Sequence, residues 1–322
     1  MKAIILNAIN TPLNMTELPK PEKKEGEKHV RIAYAALNHR DVWITKGQYA
    51  SIVTPIVLGS DGAGYDEDGN EVIINPGFDF GADERAQSNR FSMLGMPSSG
   101  TLAEYVSIHS KYIFPKPEHL TLEQASALPL AGLTAYRALF VRGAYQPEER
   151  VLVTGIGGGV ALFAMQYALA CGSEVWVTSS SDEKIARAVE MGAMGGVNYK
   201  DENWHKSLAE KKIFFDVIVD GAAGSGFSKL LTVCNPGARI VIYGGTAGKI
   251  ESISPQVLFW KQITIAGSTM GSEKDFADML SFVNEKKIIP VVSKTFGMDE
   301  AQAAFDYMEQ GKQFGKPVIR IA

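Results

Sequence analysis

The chain has 322 residues, 45% hydrophobic and 21% charged, with a net charge of −4; that is enough for two ordinary globular domains, and the acidic balance argues against nucleic-acid or anionic-membrane partners. No run approaches the roughly 20 apolar residues of a membrane span, and the opening MKAIILNAIN, broken by Asn7 and Asn10, reads as a first strand and not as a signal-peptide core. The only cysteines, Cys171 and Cys234, suit a reducing compartment better than a disulfide framework, so a cytoplasmic location is expected.

From the start to about residue 120 the texture is short strands and turn-rich loops: AIIL, HVRIAYAAL, EVIINPG and GTLAEYVSI. Asp68, Gly69 and Asn70 sit between apolar runs as a tight turn. Asn38 and Asp41 are spaced as an N-cap and its N3 acid, which predicts a helix over HRDVWITK. Thr121 with Glu123 and Gln124 marks another helix start. From about 150 to 268 strands alternate with helices. RVLVTG, EVWVT, FFDVIVDGA, ARIVIYGG and KQITIAGS are apolar and β-branched, and the helices between the first of them close at Gly172 and Gly192. Such strands, nearly continuous in apolar residues, predict a parallel sheet covered on both faces. Two further helices, SEKDFADMLSFVNEKKI and MDEAQAAFDYMEQG, and a closing strand KPVIRIA complete the chain. No internal repeat or low-complexity segment is present.

Gly155, Gly157, Gly158 and Gly159 fall between the strand RVLVTG and the following helix. In a strand–helix–strand unit, glycines there allow a tight turn and let backbone amides reach a pyrophosphate at the positive helix N-terminus. No Gly-Lys-Ser/Thr follows, which excludes the Walker phosphate loop. At the end of the second strand an NAD site usually carries an acid for the ribose 2′-OH. Here Ser179, 24 residues after Gly155, is followed by Ser180, Ser181 and Lys184. Hydroxyls and an ammonium can hold a 2′-phosphate that a carboxylate would repel. At ~1.5–3 kcal/mol per charge-assisted bond, NADP(H) is expected over NAD(H) by roughly tenfold or more. The serines can equally form a turn and cap the helix beginning at Asp182, and Asp182 and Glu183 themselves oppose a phosphate.

Together LNHRD, GSDGAG, GTLAEYV, LPLAGLTAYRAL, VTGIGGGVALFAMQYA and KQITIAGS resemble the medium-chain dehydrogenase/reductases, in order and over essentially the whole chain. The resemblance implies an α/β protein with two domains. A GroES-like β-barrel catalytic domain (1–121 and 269–322) accompanies a Rossmann NADP-binding domain with a doubly wound parallel sheet (122–268), and the active site lies in the interdomain cleft. In the zinc-containing branch, a cysteine stands at Asn38, Gly-His-Glu at Gly59-Ser60-Asp61, and usually a cysteine at Leu130. The segment FDFGADERAQSNRFSML, matching the cysteine-rich lobe, contains no cysteine. Zinc needs three or four Cys, His or carboxylate ligands, and His29, His109, His119 and His205 are scattered, so no metal is expected. The chain is most similar to the zinc-independent quinone oxidoreductases and alkenal or enone reductases. In that branch a tyrosine in a Gly-x-Tyr turn lies near the substrate, here Gly47 and Tyr49. A neutral phenol can donate a hydrogen bond to a carbonyl oxygen as charge develops on it. Tyr49 is therefore the electrophilic candidate, with Asn38 a second polar group facing nicotinamide or substrate; Tyr49 could also be a simple cleft-wall aromatic.

Further cofactor contacts follow from the same resemblance. His39 is a cofactor-phosphate neighbour or a surface group. Val160 opens the dinucleotide helix, and Ala161 fills its third fingerprint position. Thr134 lies near the nicotinamide, Tyr199 near the adenosine end. Gly221 and Ala222 follow the fourth Rossmann strand, Gly244 and Gly245 the fifth, and Ser268 and Thr269 the sixth, near the nicotinamide amide. The strands ARIVIYGG and KQITIAG resemble those at the superfamily's dimer edge, which makes a homodimer the default. The expected activity is NADPH-dependent hydride transfer to a small electrophile: a quinone, an enone or alkenal, or a related carbonyl. A zinc-free alcohol dehydrogenase or carbonyl reductase and a non-catalytic NADPH sensor are the alternatives. A hydrolase elbow at GSTMG is excluded in its usual order, since no histidine follows Thr269.

Overall fold

The computed structural model describes residues 1–322, which divide into two compact units: Met1–Leu133 with Gly271–Ala322, and Thr134–Met270. The expected first boundary lies after residue 121. The helix Leu122–Ser126 and the start of Pro129–Tyr136 instead pack with the first unit, where Ala127 meets Ala36 and Val318. The second boundary differs from the expected one by only two residues.

The first unit is built on a seven-stranded sheet. Glu27–Ala36 runs antiparallel to Asp61–Tyr65, Tyr105–His109 and Lys316–Arg320. The C-terminal strand Lys316–Arg320 thus lies beside Ala36, bringing distant parts of the chain together around the start of the helix His39–Thr45. Ile32, Leu37, Ile44, Leu58 and Ile319 are fully buried in its core. Between Asp61–Tyr65 and Glu71–Ile74 the expected turn forms: Gly69 has φ +85°, and Asp66 Oδ1 accepts the N–H groups of Asp68 (3.0 Å) and Asn70 (2.8 Å).

The second unit holds a six-stranded sheet, entirely parallel, in the spatial order Gly195–Asn198, Val175–Ser179, Val151–Val153, Phe215–Asp220, Cys234–Ile242, Thr264–Gly267. Numbered along the chain this is 3-2-1-4-5-6, the doubly wound order, whose reversal between strands 1 and 4 places ligands at the carboxyl ends of the strands. The helix Gly159–Ala170 is apolar nearly all round, Gln166 apart, as suits a helix covered by its neighbours. Gly172 (φ +84°) and Gly192 (φ +110°) follow their helices in the left-handed conformation, as expected.

Candidate functional site

The glycine loop lies where the sequence placed it, between Val151–Val153 and the helix Gly159–Ala170. Gly155 (φ +66°) and Gly157 (φ +114°) take backbone angles that side chains rarely adopt. Gly158 is the N-cap and has no side chain to offer, and no acid occupies the first turn. The N–H groups of Gly159, Val160 and Ala161 therefore lie at a helix start with no intrahelical acceptor, which is where an anion binds. A Cβ on Gly157 would stand 2.8 Å from Lys184 Cδ and 3.3 Å from its Nζ. The Lys184 side chain lies along the loop, with its pKa lowered chiefly by burial.

At the end of Val175–Ser179 the serines divide their roles. Ser181 caps the helix Asp182–Glu190, its Oγ accepting Lys184 N–H at 3.4 Å. Ser179 is buried, and its Oγ accepts Ser181 N–H at 3.2 Å. Ser180 is half-buried at the turn. Asp182 is drawn to Asn198, whose Nδ2 donates to it at 2.8 Å. Exposed Tyr199 donates its N–H to Ser179 O at 3.0 Å.

Asp220, not among the expected site residues, organises the neighbouring strand end. Its carboxylate accepts Thr154 Oγ1–H at 2.6 Å and Ala223 N–H at 2.8 Å, while 1% exposed. Gly221 N–H donates in turn to Thr154 Oγ1 at 3.3 Å. A Cβ on Gly244 would stand 2.8 Å from Gly221 O, so the loops carrying Gly221–Ala222 and Gly244–Gly245 meet backbone to backbone. Ser268 Oγ is a buried oxygen with no hydrogen-bond partner, an unmet polar group in the position expected to face a carboxamide, while Thr269 is exposed. Thr134, 5% exposed, donates to Met270 Sδ at 3.8 Å. All the expected cofactor residues except His39 thus belong to the second unit; His39 begins the helix His39–Thr45 of the first.

Asn38, Arg40 and Tyr49 also lie in the first unit. Asn38 caps the helix through its main chain: its N–H donates to Asp41 Oδ2 at 2.8 Å and its carbonyl accepts Asp41 N–H at 2.9 Å. Its side chain does something else. Asn38 Nδ2 donates to Asp61 Oδ2 at 2.9 Å, and Asn38 Oδ1 accepts from Lys316 Nζ. Lys316 and Asp61, 3% and 0% exposed, form an ion pair at 2.9 Å, and Leu130 N–H donates to the other Asp61 oxygen at 2.8 Å. The amide expected to face nicotinamide or substrate is therefore committed at both ends to a buried network. Arg40 donates to Ser60 Oγ at 2.6 Å, to Leu94 O at 3.1 Å and to Met96 O at 3.3 Å. Its guanidinium lies 5.2 Å from the centre of the half-buried Tyr49 ring, which follows Gly47 (φ +72°). Asp41 is fully buried, and burial pushes its carboxyl pKa up.

A catalytic zinc does not fit these residues. The three matched ligand positions offer an amide held by Lys316, a hydroxyl held by Arg40 and the aliphatic chain of Leu130. Two fixed cations stand where a third would have to bind, and no cluster of three His, Cys, Asp or Glu side chains occurs elsewhere. The departures at Asn38, Ser60 and Leu130 were visible in the sequence, whereas the cations that hold the first two were not. Lys316 is 278 residues from Asn38, and no local pattern joins them.

The family model for the zinc-binding dehydrogenases matches residues 159–285, and that for the alcohol dehydrogenase GroES-like domain matches 24–118. A zinc-type alcohol dehydrogenase-like protein of Leptosphaeria maculans, YogA, is 36% identical over 340 residues, covering 96% of this chain and 95% of the relative. Among solved structures, an NAD-dependent alcohol dehydrogenase gives a TM-score of 0.93 at 34% identity, with 100% of both chains covered. The quinone oxidoreductase of Thermus thermophilus, solved also as its complex with NADPH, gives 0.83 at 27% identity, again with 100% of both chains covered.

Proposed function

The chain belongs to the medium-chain dehydrogenase/reductase superfamily and is an oxidoreductase of that nicotinamide-dependent family; from that premise we propose that it works without zinc, uses NADPH, and reduces conjugated carbonyl compounds or quinones. The observation that carries the zinc-free reading is the buried network in which Asn38, Ser60 and Leu130 are held by Lys316, Arg40 and Asp61. The NADPH preference is supported by Lys184 lying along the phosphate loop, and by Asp182 being drawn onto Asn198.

When bound, NADPH supplies the hydride that adds to the electrophilic carbon. The helix start at Gly159 and the Lys184 ammonium hold phosphate, and Ser268 Oγ offers its unmet hydrogen bond to the carboxamide. Tyr49 donates a hydrogen bond to the substrate oxygen, a contribution whose loss typically costs about 10²–10³ in rate. Asn38 acts through the Asp61–Lys316 pair, which engages both ends of its amide.

The test is NADPH oxidation with 1,4-benzoquinone, a 2-alkenal and 3-penten-2-one, with product analysis. Turnover untouched by a metal chelator is expected, and Tyr49→Phe should lower kcat by the factor above. Chelator-sensitive turnover, or turnover confined to simple alcohols with NAD, would overturn the reading. A second reading, an NAD-dependent enzyme, draws on the buried, turn-bonded Ser179 and the acids Asp182 and Glu183 in the next helix turn; tighter binding of NADH than NADPH would establish it.

A further inference from the structure

We propose that Arg40 is a positioning residue: its guanidinium holds the Tyr49 ring and so fixes where the phenol hydroxyl points. The inference deepens the role given to Tyr49 above and rests on it for the chemistry, though not for the contact itself.

Arg40 stands in the first turn of the helix His39–Thr45, and Tyr49 follows in the turn after it. Gly47 (φ +72°) ends the helix in the left-handed conformation, and Gln48 N–H donates back to Trp43 O at 2.8 Å. The chain so turned brings the Tyr49 ring under the Arg40 guanidinium, 5.2 Å from ring centre to Cζ. That is within the ~6 Å over which a guanidinium is attracted to the face of an aromatic ring. The ring is half-buried, and its hydroxyl has no hydrogen-bond partner in the chain. Packing and the guanidinium therefore orient it, and its one polar atom is left free to donate.

The guanidinium is itself immobile. It is 6% exposed and donates to Ser60 Oγ, Leu94 O and Met96 O. Those acceptors belong to a frame that closes without Arg40. Ser60 Oγ donates to Leu94 O at 2.8 Å, and Thr101 and Leu102 donate their N–H groups to Gly59 O and Leu58 O at 2.9 and 3.0 Å. A Cβ on Gly95 would stand 2.7 Å from Gly59 O, so the two turns meet backbone to backbone. Arg40 thus carries the rigidity of this frame to the one ring that stands outside it. A donor must sit where charge develops, and a misplacement of about 1 Å costs rate. A residue that merely clasped the Leu94–Met96 turn would use its carbonyl bonds whatever stood at position 49.

A double-mutant cycle separates the two roles. With a 2-alkenal and NADPH, Arg40→Met is expected to lower kcat about tenfold, the scale of a desolvated cation–π contact, with KM for NADPH unchanged. In the Tyr49→Phe background the same substitution should cost less than about twofold, because the phenol it would misplace is gone. Arg40→Lys keeps a charge without the planar fork and should lose less than Arg40→Met, again only where Tyr49 is present; it carries the cycle if Arg40→Met does not fold. Equal losses in both backgrounds overturn the proposal. The contact is read apart from turnover by the Cζ resonances of 13C-labelled tyrosine. The chain has 11 tyrosines, and the signal missing from Tyr49→Phe is that of Tyr49. It should move in the Arg40 variants more than any other tyrosine signal. If no electrophile is turned over and that signal moves, the contact stands and the proposed reaction falls. If it stays in place, the contact falls whatever the turnover.

Discussion

On the NADPH reading proposed above, cofactor choice turns on Lys184. Its ammonium lies 3.3 Å from where a side chain on Gly157 would begin, so phosphate chemistry and the loop's bareness depend on each other. Lys184→Ala should weaken NADPH binding by roughly tenfold or more, one charge-assisted bond at ~1.5–3 kcal/mol. NADH binding should change less, since that ligand lacks the 2′-phosphate; fluorescence titration of both dinucleotides reads the difference. The same residue sets a pH dependence. Burial lowers its pKa, and the lowering reflects a charged form that is harder to keep. Only the ammonium attracts phosphate, so NADPH affinity is fully present at lower pH and is lost as pH rises, earlier than an ordinary lysine would lose it. The Lys184→Ala protein should lack that decline. Equal affinity losses for NADH and NADPH in the variant would remove Lys184 from 2′-phosphate recognition.

At the scale of elements, the carboxyl ends of the parallel strands were legible as a ligand edge, because apolar β-branched runs alternated with helices and several of the runs closed on glycine. The glycine positions and the cap at Ser181 were equally readable, being local rules of backbone geometry. What holds those ends in place was less so. Asp220 closes the strand Phe215–Asp220 and ties Thr154, Ala222 and Ala223 together through one buried carboxylate. A lone acid at the end of FFDVIVD could have been singled out, yet its partner Thr154 lies 66 residues away and only pairing of the strands joins them. Asp220→Ala leaves a hydroxyl and two amides without their acceptor, at about 1–3 kcal/mol for a buried unsatisfied group. The chain should unfold at lower denaturant by that amount and bind NADPH less tightly, because the loops after two strands lose their common anchor. Asp220→Asn, which keeps an acceptor, should recover part of both. A drop in stability without any change in dinucleotide affinity would confine Asp220 to a structural role.

Across the whole chain, local patterns revealed both folds, while the buried polar network of the first unit joins residues hundreds of positions apart, as Lys316 joins Asn38. The assembled molecule adds a surface that sequence alone marked only by resemblance. Thr264–Gly267 is an outermost strand of the second unit's sheet, paired on one side with Cys234–Ile242. The helix before it, Pro255–Lys261, has no buried residue and carries Phe259 and Trp260, 60% and 78% exposed. An open strand edge beside two exposed aromatic rings is a template for another strand and an apolar surface to cover. On the proposal that the protein is a homodimer, a second copy docking by a two-fold axis would extend the sheet and bury the rings on both sides at once. Fully burying a large apolar side chain contributes roughly 1.5–3 kcal/mol, and the two-fold doubles each residue's effect. Trp260→Glu should therefore shift the protein from dimer to monomer in sedimentation at micromolar concentration, with the fold of each unit retained. A wild type that sediments as a monomer across that range would sink the dimer; a variant that stays dimeric would move the interface elsewhere.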